Sequence, residues 1–143
     1  MTGAADDDLA RAAWRAIAAL AFAHDRRTAV AEELGLSFGR LKVLRRLLAG
    51  PLTLRELAAR LGADPPWVTI MVGDLEERGL VERRPHPTDR RAKTVSLTPD
   101  GRALALRAQE LLDEPPPALR ALPPSDLALL ARLAPPAAEE ERG

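Results

Sequence analysis

One segment of the chain has unusually clear signals for where helices begin and end. Residues 53–56, Thr-Leu-Arg-Glu, have the T-x-x-E form of a capping box, which begins a helix, and Gly62 marks the end of that helix. Asp64 is then a good N-cap residue, and Pro65 takes the first helical position, where its missing N–H costs nothing. Gly79 is the natural stop of this second helix. The segment is therefore predicted to form two short helices joined by a tight turn.

Apolar residues at helical spacing give each of these short helices one side that can be buried. In the first helix the predicted buried residues are Leu54, Leu57, Ala58 and Leu61, and in the second they are Val68, Met71, Val72 and Leu75. Two such helices in series are typical of a helix-turn-helix, although a plain helical hairpin in an all-helical domain has the same pattern.

The periodicity changes from helical to extended after this pair. Residues 80–84 and 93–97 are predicted as the strands of a β-hairpin, with the turn-prone residues 85–89 between them. From Arg78 to Lys93 there are six basic and two acidic residues, a local charge of +4 in a chain whose net charge is +0. This localised charge indicates an electrostatic footprint for nucleic acid, with a solvated charged hairpin as the alternative.

Further helices are predicted on both sides of this region. The first covers residues 6–33, and a second is capped by Ser37 and stopped by Gly50-Pro51. After the hairpin, a cap followed by proline at Thr98-Pro99 begins a helix that reaches about Leu112. Residues 126–133 are predicted to form a last amphipathic helix, and the acidic tail that follows is predicted to be disordered.

The composition predicts one globular domain with a thin core. The chain has 143 residues, of which 46% are hydrophobic, but its aromatic residues are limited to Trp14, Phe22, Phe38 and Trp67. Alanine, leucine and valine must therefore build most of the core. A core of this kind is often completed by another subunit.

Several classes of function have little support in the sequence. The chain has no cysteine, which excludes disulfides and thiolate metal sites, and two histidines cannot make a metal site by themselves. It shows neither a nucleophile beside a histidine nor a glycine-rich phosphate loop, so we expect no enzyme activity and no cofactor. No apolar run approaches the roughly 18 residues that span a bilayer, and no secretory signal is evident. We therefore expect a cytoplasmic protein that does not contact membranes.

These patterns together predict a mainly α fold with a minor β component, a winged helix-turn-helix between flanking helices. The second short helix can enter the major groove of double-stranded DNA, and the hairpin then lies beside the phosphate backbone. The alternative is an interaction module in which the winged domain binds another protein and the basic hairpin is incidental.

The sequence resembles the MarR family. The resemblance is densest from about residue 34 to residue 102, and it rests on Ala63-Asp64-Pro65 with Val68-Thr69, on residues 74–83, 87–93 and 97–101. It implies a transcriptional repressor that is a homodimer on a pseudo-palindromic operator and is released by small aromatic or phenolic ligands. In these terms the chain is one MarR-like domain, with dimerisation helices at residues 6–33 and 98–134, a DNA-binding lobe at 37–97 and a tail at 135–143.

Residues of the hairpin match the family's wing signature. Asp89 and Arg91 correspond to its acidic-x-Arg pair, in which the arginine reaches the minor groove and the acid helps to hold the wing. A narrow minor groove concentrates negative potential, which suits a guanidinium that is always charged. Predicted phosphate contacts are Arg83, Arg84, Arg90 and Lys93. The alternative for Asp89 and Arg91 is a surface ion pair of small energy.

The predicted recognition helix departs from the commoner family pattern. Pro66 and Trp67 replace a small polar pair, and Ile70 and Asp74 stand where many members have a basic residue. Base reading would then use Trp67, Thr69 and Ile70 through hydroxyl and apolar contacts, for example with thymine methyl groups. Trp67 could equally pack inside the protein.

The resemblance also implies a ligand cleft near the first two helices. Candidate ligand-binding residues there are Trp14, Phe22, His24 and Phe38. The alternative is that the aromatic residues belong to the core or to a dimer interface, because an apolar stripe at helical spacing usually serves packing.

Overall fold

The computed structural model describes residues 3–133, which form two compact units. The winged unit runs from Arg27 to Asp113. The terminal unit combines the described residues up to Arg26 with those from Glu114 to residue 133. Each unit has its own helices, and the buried apolar core lies in the winged unit.

The winged unit contains five α-helices and a small sheet. In chain order these are α2 (Arg27–Leu34), α3 (Phe38–Arg46), a 3₁₀ turn (Leu47–Ala49), β1 (Leu52–Thr53), α4 (Leu54–Leu61), α5 (Pro65–Glu77), β2 (Val81–Pro85), β3 (Lys93–Leu97) and α6 (Pro99–Leu112). The predicted fold class, mainly helical with a winged helix-turn-helix, is confirmed.

Most of the predicted inward positions of α4 and α5 are buried. Leu57, Val68, Val72 and Leu75 are completely inaccessible to solvent and Ala58 is nearly so. The remaining predicted positions, Leu54, Leu61 and Met71, are half-buried and pack against the same core. The periodicity therefore identified the core sides of both helices.

Local signals also place the helix ends. The Thr53 hydroxyl accepts the N–H of Glu56 at 3.1 Å, and Gly62 ends α4 with a positive φ of 58°. At the end of α5, Gly79 has φ 72°, and the N–H of Leu80 donates to the Leu75 carbonyl at 2.9 Å. Asp64 occupies the N-cap position of α5 but makes no side-chain capping bond. Pro65 and Pro66 at the first two helical positions have no N–H to donate to it.

The sheet has three antiparallel strands in the order β1-β3-β2. β2 and β3 form the predicted hairpin, with Val81 opposite Leu97 and Pro85 opposite Lys93. β1 was not predicted, because a two-residue strand has no recognisable periodicity. It pairs with β3, with Leu52 opposite Val95. The hairpin is thus fastened to the chain just before the helix-turn-helix.

The prediction of one continuous helix over residues 6–33 was wrong. The chain leaves the helical conformation at His24, and the segment forms α1 (Ala4–Ala23) and α2 as separate helices. The two halves have different surroundings: no residue of α1 is buried, whereas Val30 of α2 is fully buried in the winged unit. Apolar spacing alone did not reveal this change, since it continues through the break.

The terminal unit consists of α1, α7 (Pro117–Arg120) and α8 (Pro124–Leu133). α8 matches the predicted last helix, whereas α7, a single turn within a proline-rich stretch, was not predicted. None of the three helices has a buried residue.

α6 lies within the winged unit. Ala105 and Ala108 are fully buried in its core, so the winged unit extends past residue 97, where the predicted lobe ends. The predicted disordered tail, residues 135–143, lies outside the described residues. Among residues 3–133, no helix has the length and apolar character needed to cross a membrane.

Candidate nucleic-acid interface

α5 exposes a narrow strip of its surface opposite the buried Val68 and Val72. Because residues four apart share a helix face, Pro66 and Ile70 lie along this strip. Ile70 is 65% exposed, the largest exposed fraction of any large apolar residue in the winged unit. The Ile70 side chain is therefore available for contact with another molecule.

Trp67 packs inside the protein. Its indole is half-buried against the core and covers Gly39 of α3, where a Cβ atom would lie 2.9 Å from Cζ2 of the tryptophan. Of the two roles left open for Trp67, the geometry favours packing between α5 and α3.

Thr69 is exposed, but its hydroxyl donates a hydrogen bond to the Pro65 carbonyl at 3.1 Å. This satisfies a helix carbonyl one turn back and orients the side chain. The hydroxyl oxygen keeps its lone pairs, so Thr69 in this rotamer presents an acceptor and a methyl group.

Asp74 joins α5 to α3 through ionic hydrogen bonds. Its Oδ2 accepts from Nε of Arg40 at 2.5 Å and from Nε of Arg78 at 2.8 Å. The hydrogen bond from Arg40 lowers the pKa of the Asp74 carboxyl below its ordinary value; partial burial opposes this, and Arg78 adds to the lowering. The acidic residue at this commonly basic position therefore fixes the helix rather than contacting a ligand.

Arg83 and Arg84, neighbours on β2, have different surroundings. Arg83 lies against α5: its Nε is 3.6 Å from Oε2 of Glu76, and its Nη2 is 3.9 Å from the place of a Cβ on Gly73. Its side chain is only 27% exposed, whereas that of Arg84 is 68% exposed and pairs with Glu82 at 2.6 Å. Arg83 is thus held beside α5 rather than on the outside of the hairpin.

The tip of the wing is built by side chains that bind backbone N–H groups. Oδ1 of Asp89 accepts the N–H of Arg91 at 3.0 Å. Nδ1 of His86 accepts the N–H groups of Thr88 at 3.2 Å and Asp89 at 3.1 Å. These bonds give the turn a defined shape that turn-forming sequence alone does not ensure.

The cations of the tip project from this turn. Arg90, Arg91 and Lys93 are exposed, and none of them forms an ion pair with another residue in the described part of the chain. The Asp89 carboxylate binds the backbone N–H of Arg91 and not its guanidinium. The alternative, a surface ion pair between these two side chains, is therefore not observed in the described residues. Three unpaired cations therefore stand on a shaped loop.

A second basic feature is a cavity of about 480 Å³ within the winged unit. It is lined by Phe38, Lys42, Arg45, Arg46, Ala49, Arg60 and Gln109. Four of these residues are cationic and none is acidic, so the cavity has a positive potential. The Nε atom of Arg45 is buried and has no hydrogen-bond partner within residues 3–133.

The four predicted ligand-binding residues are divided between the two units. Trp14 and Phe22 of α1 are 68% and 81% exposed. Nε2 of His24 is bonded to the Glu114 carbonyl at 2.9 Å, within the terminal unit. Of the four, only Phe38 lines the cationic cavity.

Sequence reasoning missed three features of this surface. The bond between Arg40 and Asp74 joins residues 34 positions apart, and no local pattern marks it. The same is true of the cations that line the cavity. The position of His86 within a turn was a weak sign of its role, because a histidine there can accept backbone N–H groups as aspartate does.

Comparisons with known proteins agree with this architecture. A model of the MarR family matches residues 34–92. An uncharacterized HTH-type transcriptional regulator of Mycobacterium leprae is 35% identical over 65 residues, which are 46% of this chain and 46% of that protein. The match thus spans about half the length of this relative.

Solved structures extend the likeness to most of the chain. The apo form of wild-type MarR from E. coli is 27% identical with a TM-score of 0.67, over 83% of this chain and 91% of that one. A MarR mutant from E. coli complexed with operator DNA is 28% identical with a TM-score of 0.58, over 83% and 88%. Together with the winged helix-turn-helix, these findings show that residues 34–92 match the MarR family and that the chain shares the fold of MarR regulators.

Proposed function

We propose that this protein is a sequence-specific DNA-binding repressor that acts as a homodimer on a pseudo-palindromic operator. The observation that carries the proposal is the wing tip, where Arg90, Arg91 and Lys93 are exposed and unpaired on a turn held by Asp89 and His86. A related MarR from E. coli has been solved with operator DNA, and the winged unit here has the same fold.

The cations of the wing are proposed to contact different parts of the DNA. Arg91 is assigned to the minor groove, where negative potential is concentrated, and Arg90, Lys93 and Arg84 to phosphates. Arg83 is assigned to the backbone beside α5, because it lies against that helix. Each phosphate contact releases counterions, so binding should weaken steeply as salt rises.

A second copy of the chain is the proposed partner of the terminal unit. Four large apolar residues of α1, namely Leu9, Trp14, Ile17 and Phe22, are at least half exposed. On α8, Leu129, Leu130 and Leu133 are also exposed. Burying a side chain of this size contributes about 1.5–3 kcal/mol, so covering several of them drives association. Sedimentation equilibrium should therefore give about twice the mass of one protomer.

The test of the main proposal is DNA binding over a salt series. Fluorescence anisotropy with DNA from upstream of the protein's own gene should show tight, saturable binding that survives competitor DNA and weakens linearly in log[salt]. Two half-sites about 10 base pairs apart should be protected in a footprint. Binding that random DNA competes away, or no binding at all, would contradict the proposal and favour the protein-binding adapter.

An anionic aromatic compound is the proposed effector. In the cationic cavity, Phe38 offers an aromatic surface and Lys42 and Arg60 offer charges for a carboxylate or phenolate. A ligand held there would release the operator only if it binds the DNA-free form more tightly. Operator affinity measured with and without benzoate tests this.

A further inference from the structure

The exposed strip of α5 has no positive charge that could bind the electronegative edges of bases. From Pro65 to Glu77 the helix contains neither lysine nor arginine. Arg78, at its end, is bonded to Asp74, and Asp74 is bonded in turn to Arg40. The usual bidentate recognition of guanine by arginine is therefore not available from this helix.

Contacts within the protein restrict two of the three residues predicted to read bases. Trp67 is packed on Gly39, and the Thr69 hydroxyl donates to Pro65. Ile70 remains, 65% exposed in the middle of the strip, between the exposed Pro66 and the side-chain-free Gly73. Because both of its neighbours on the strip are short, the isoleucine projects beyond them.

We propose that Ile70 is the specificity-determining residue of α5 and that it reads the 5-methyl group of a thymine in the major groove. This inference rests on the proposed function. Thymine is the one base that presents an apolar group in that groove, and an aliphatic side chain can distinguish it from cytosine only by contact with the methyl. Burial of the methyl against Ile70 supplies the discrimination, and the wing supplies most of the charge-dependent affinity.

The test replaces each operator thymine in turn by uracil, which removes the methyl and leaves the hydrogen-bonding edges unchanged. For the wild-type protein, one thymine in each half-site should lose roughly fourfold in affinity on this change, the value of one buried methyl-sized group. The protein should bind an operator with 5-methylcytosine at the same position more tightly than one with cytosine, by a similar factor.

Two variants assign the effect to Ile70. Ile70→Ala should bind thymine and uracil operators equally, because the contacting group is gone. Glu77→Gln, on the same exposed strip, should keep the full difference between the two bases even if its overall affinity changes. Ile70 is exposed, so its replacement should leave the unfolding temperature nearly unchanged.

The two proposals fail in different ways. If the protein selects its operator but no uracil substitution has an effect that Ile70→Ala abolishes, Ile70 does not read a methyl group and the regulator function stands. If the protein shows no sequence-selective binding to any DNA, both proposals are overturned.

Discussion

Gly39 of α3 and Trp67 of α5 are packed so closely that a Cβ atom on the glycine would lie 2.9 Å from Cζ2 of the indole. This contact and the bond between Arg40 and Asp74 join the same two helices. The position of the recognition helix therefore depends on α3, which does not itself belong to the helix-turn-helix.

Gly39→Ala should destabilise the protein by about 1–3 kcal/mol, because the indole must move away from the added methyl. The matched control is Gly73→Ala in α5, where the added Cβ would lie 3.9 Å from Nη2 of Arg83, an ordinary contact. There the better helix propensity of alanine should stabilise by up to about 1 kcal/mol. Urea unfolding measures both. Equal effects of the two changes would show that the Trp67 contact is unimportant.

Gly101→Ala should be more damaging than Gly39→Ala. A Cβ on Gly101 would lie 1.8 Å from the backbone oxygen of Leu80, and backbone cannot move aside as a side chain can. The same region is fastened by the Thr98 hydroxyl, which donates to the Gly79 carbonyl at 2.6 Å. We expect a loss of about 3 kcal/mol or more, at the upper end for overpacking. Wild-type thermal stability in this variant would mean that the start of α6 does not pack on the turn at residues 79–80 as described.

The bond between Asp74 and Arg40 makes stability depend on pH. Since the folded-state pKa of Asp74 is lowered, its contribution is fully present above the unfolded-state pKa and is lost as pH falls through the folded-state pKa. Asp74→Asn should therefore be less stable than wild type at pH 7, and the difference should shrink in acid. Urea unfolding of both proteins across that range tests this. A difference that is constant with pH would exclude the ionised carboxylate as its cause.

Arg91→Ala should reduce operator affinity by about 1–3 kcal/mol without affecting dimerisation. Its guanidinium is unpaired in the described structure, so its loss leaves no partner behind. Arg107→Ala is the control, because Arg107 has the same charge but pairs with Glu33 and Glu110 on other surfaces of the winged unit. Anisotropy with operator DNA compares them. The role of the wing would be rejected if both variants bound as tightly as wild type.

Arg60→Ala should weaken the binding of benzoate roughly tenfold, since a charged hydrogen bond in the cavity is lost. Arg55→Ala provides the control: Arg55 is an exposed arginine of the same helix, α4, that does not line the cavity. Isothermal titration gives both affinities. Equal affinity in the two variants would place the ligand elsewhere.

Elements with local signals could be predicted from the order of amino acids. Thr53, Gly62, Pro65 and Gly79 mark helix ends through their own backbone preferences, and the period of apolar residues identified which sides of α4 and α5 are buried. The same holds for the β-hairpin and for the wing signature, whose residues lie within one turn of chain.

Which of the candidate residues are free to contact a ligand depends on how the helices and strands pack together. Trp67 faces Gly39, Asp74 binds Arg40, and Arg83 lies over Gly73, and each of these contacts joins distant parts of the chain. The break between α1 and α2 was likewise invisible to periodicity. Helix propensity and spacing act over a few residues, whereas the exposure of a side chain depends on which other elements pack beside it.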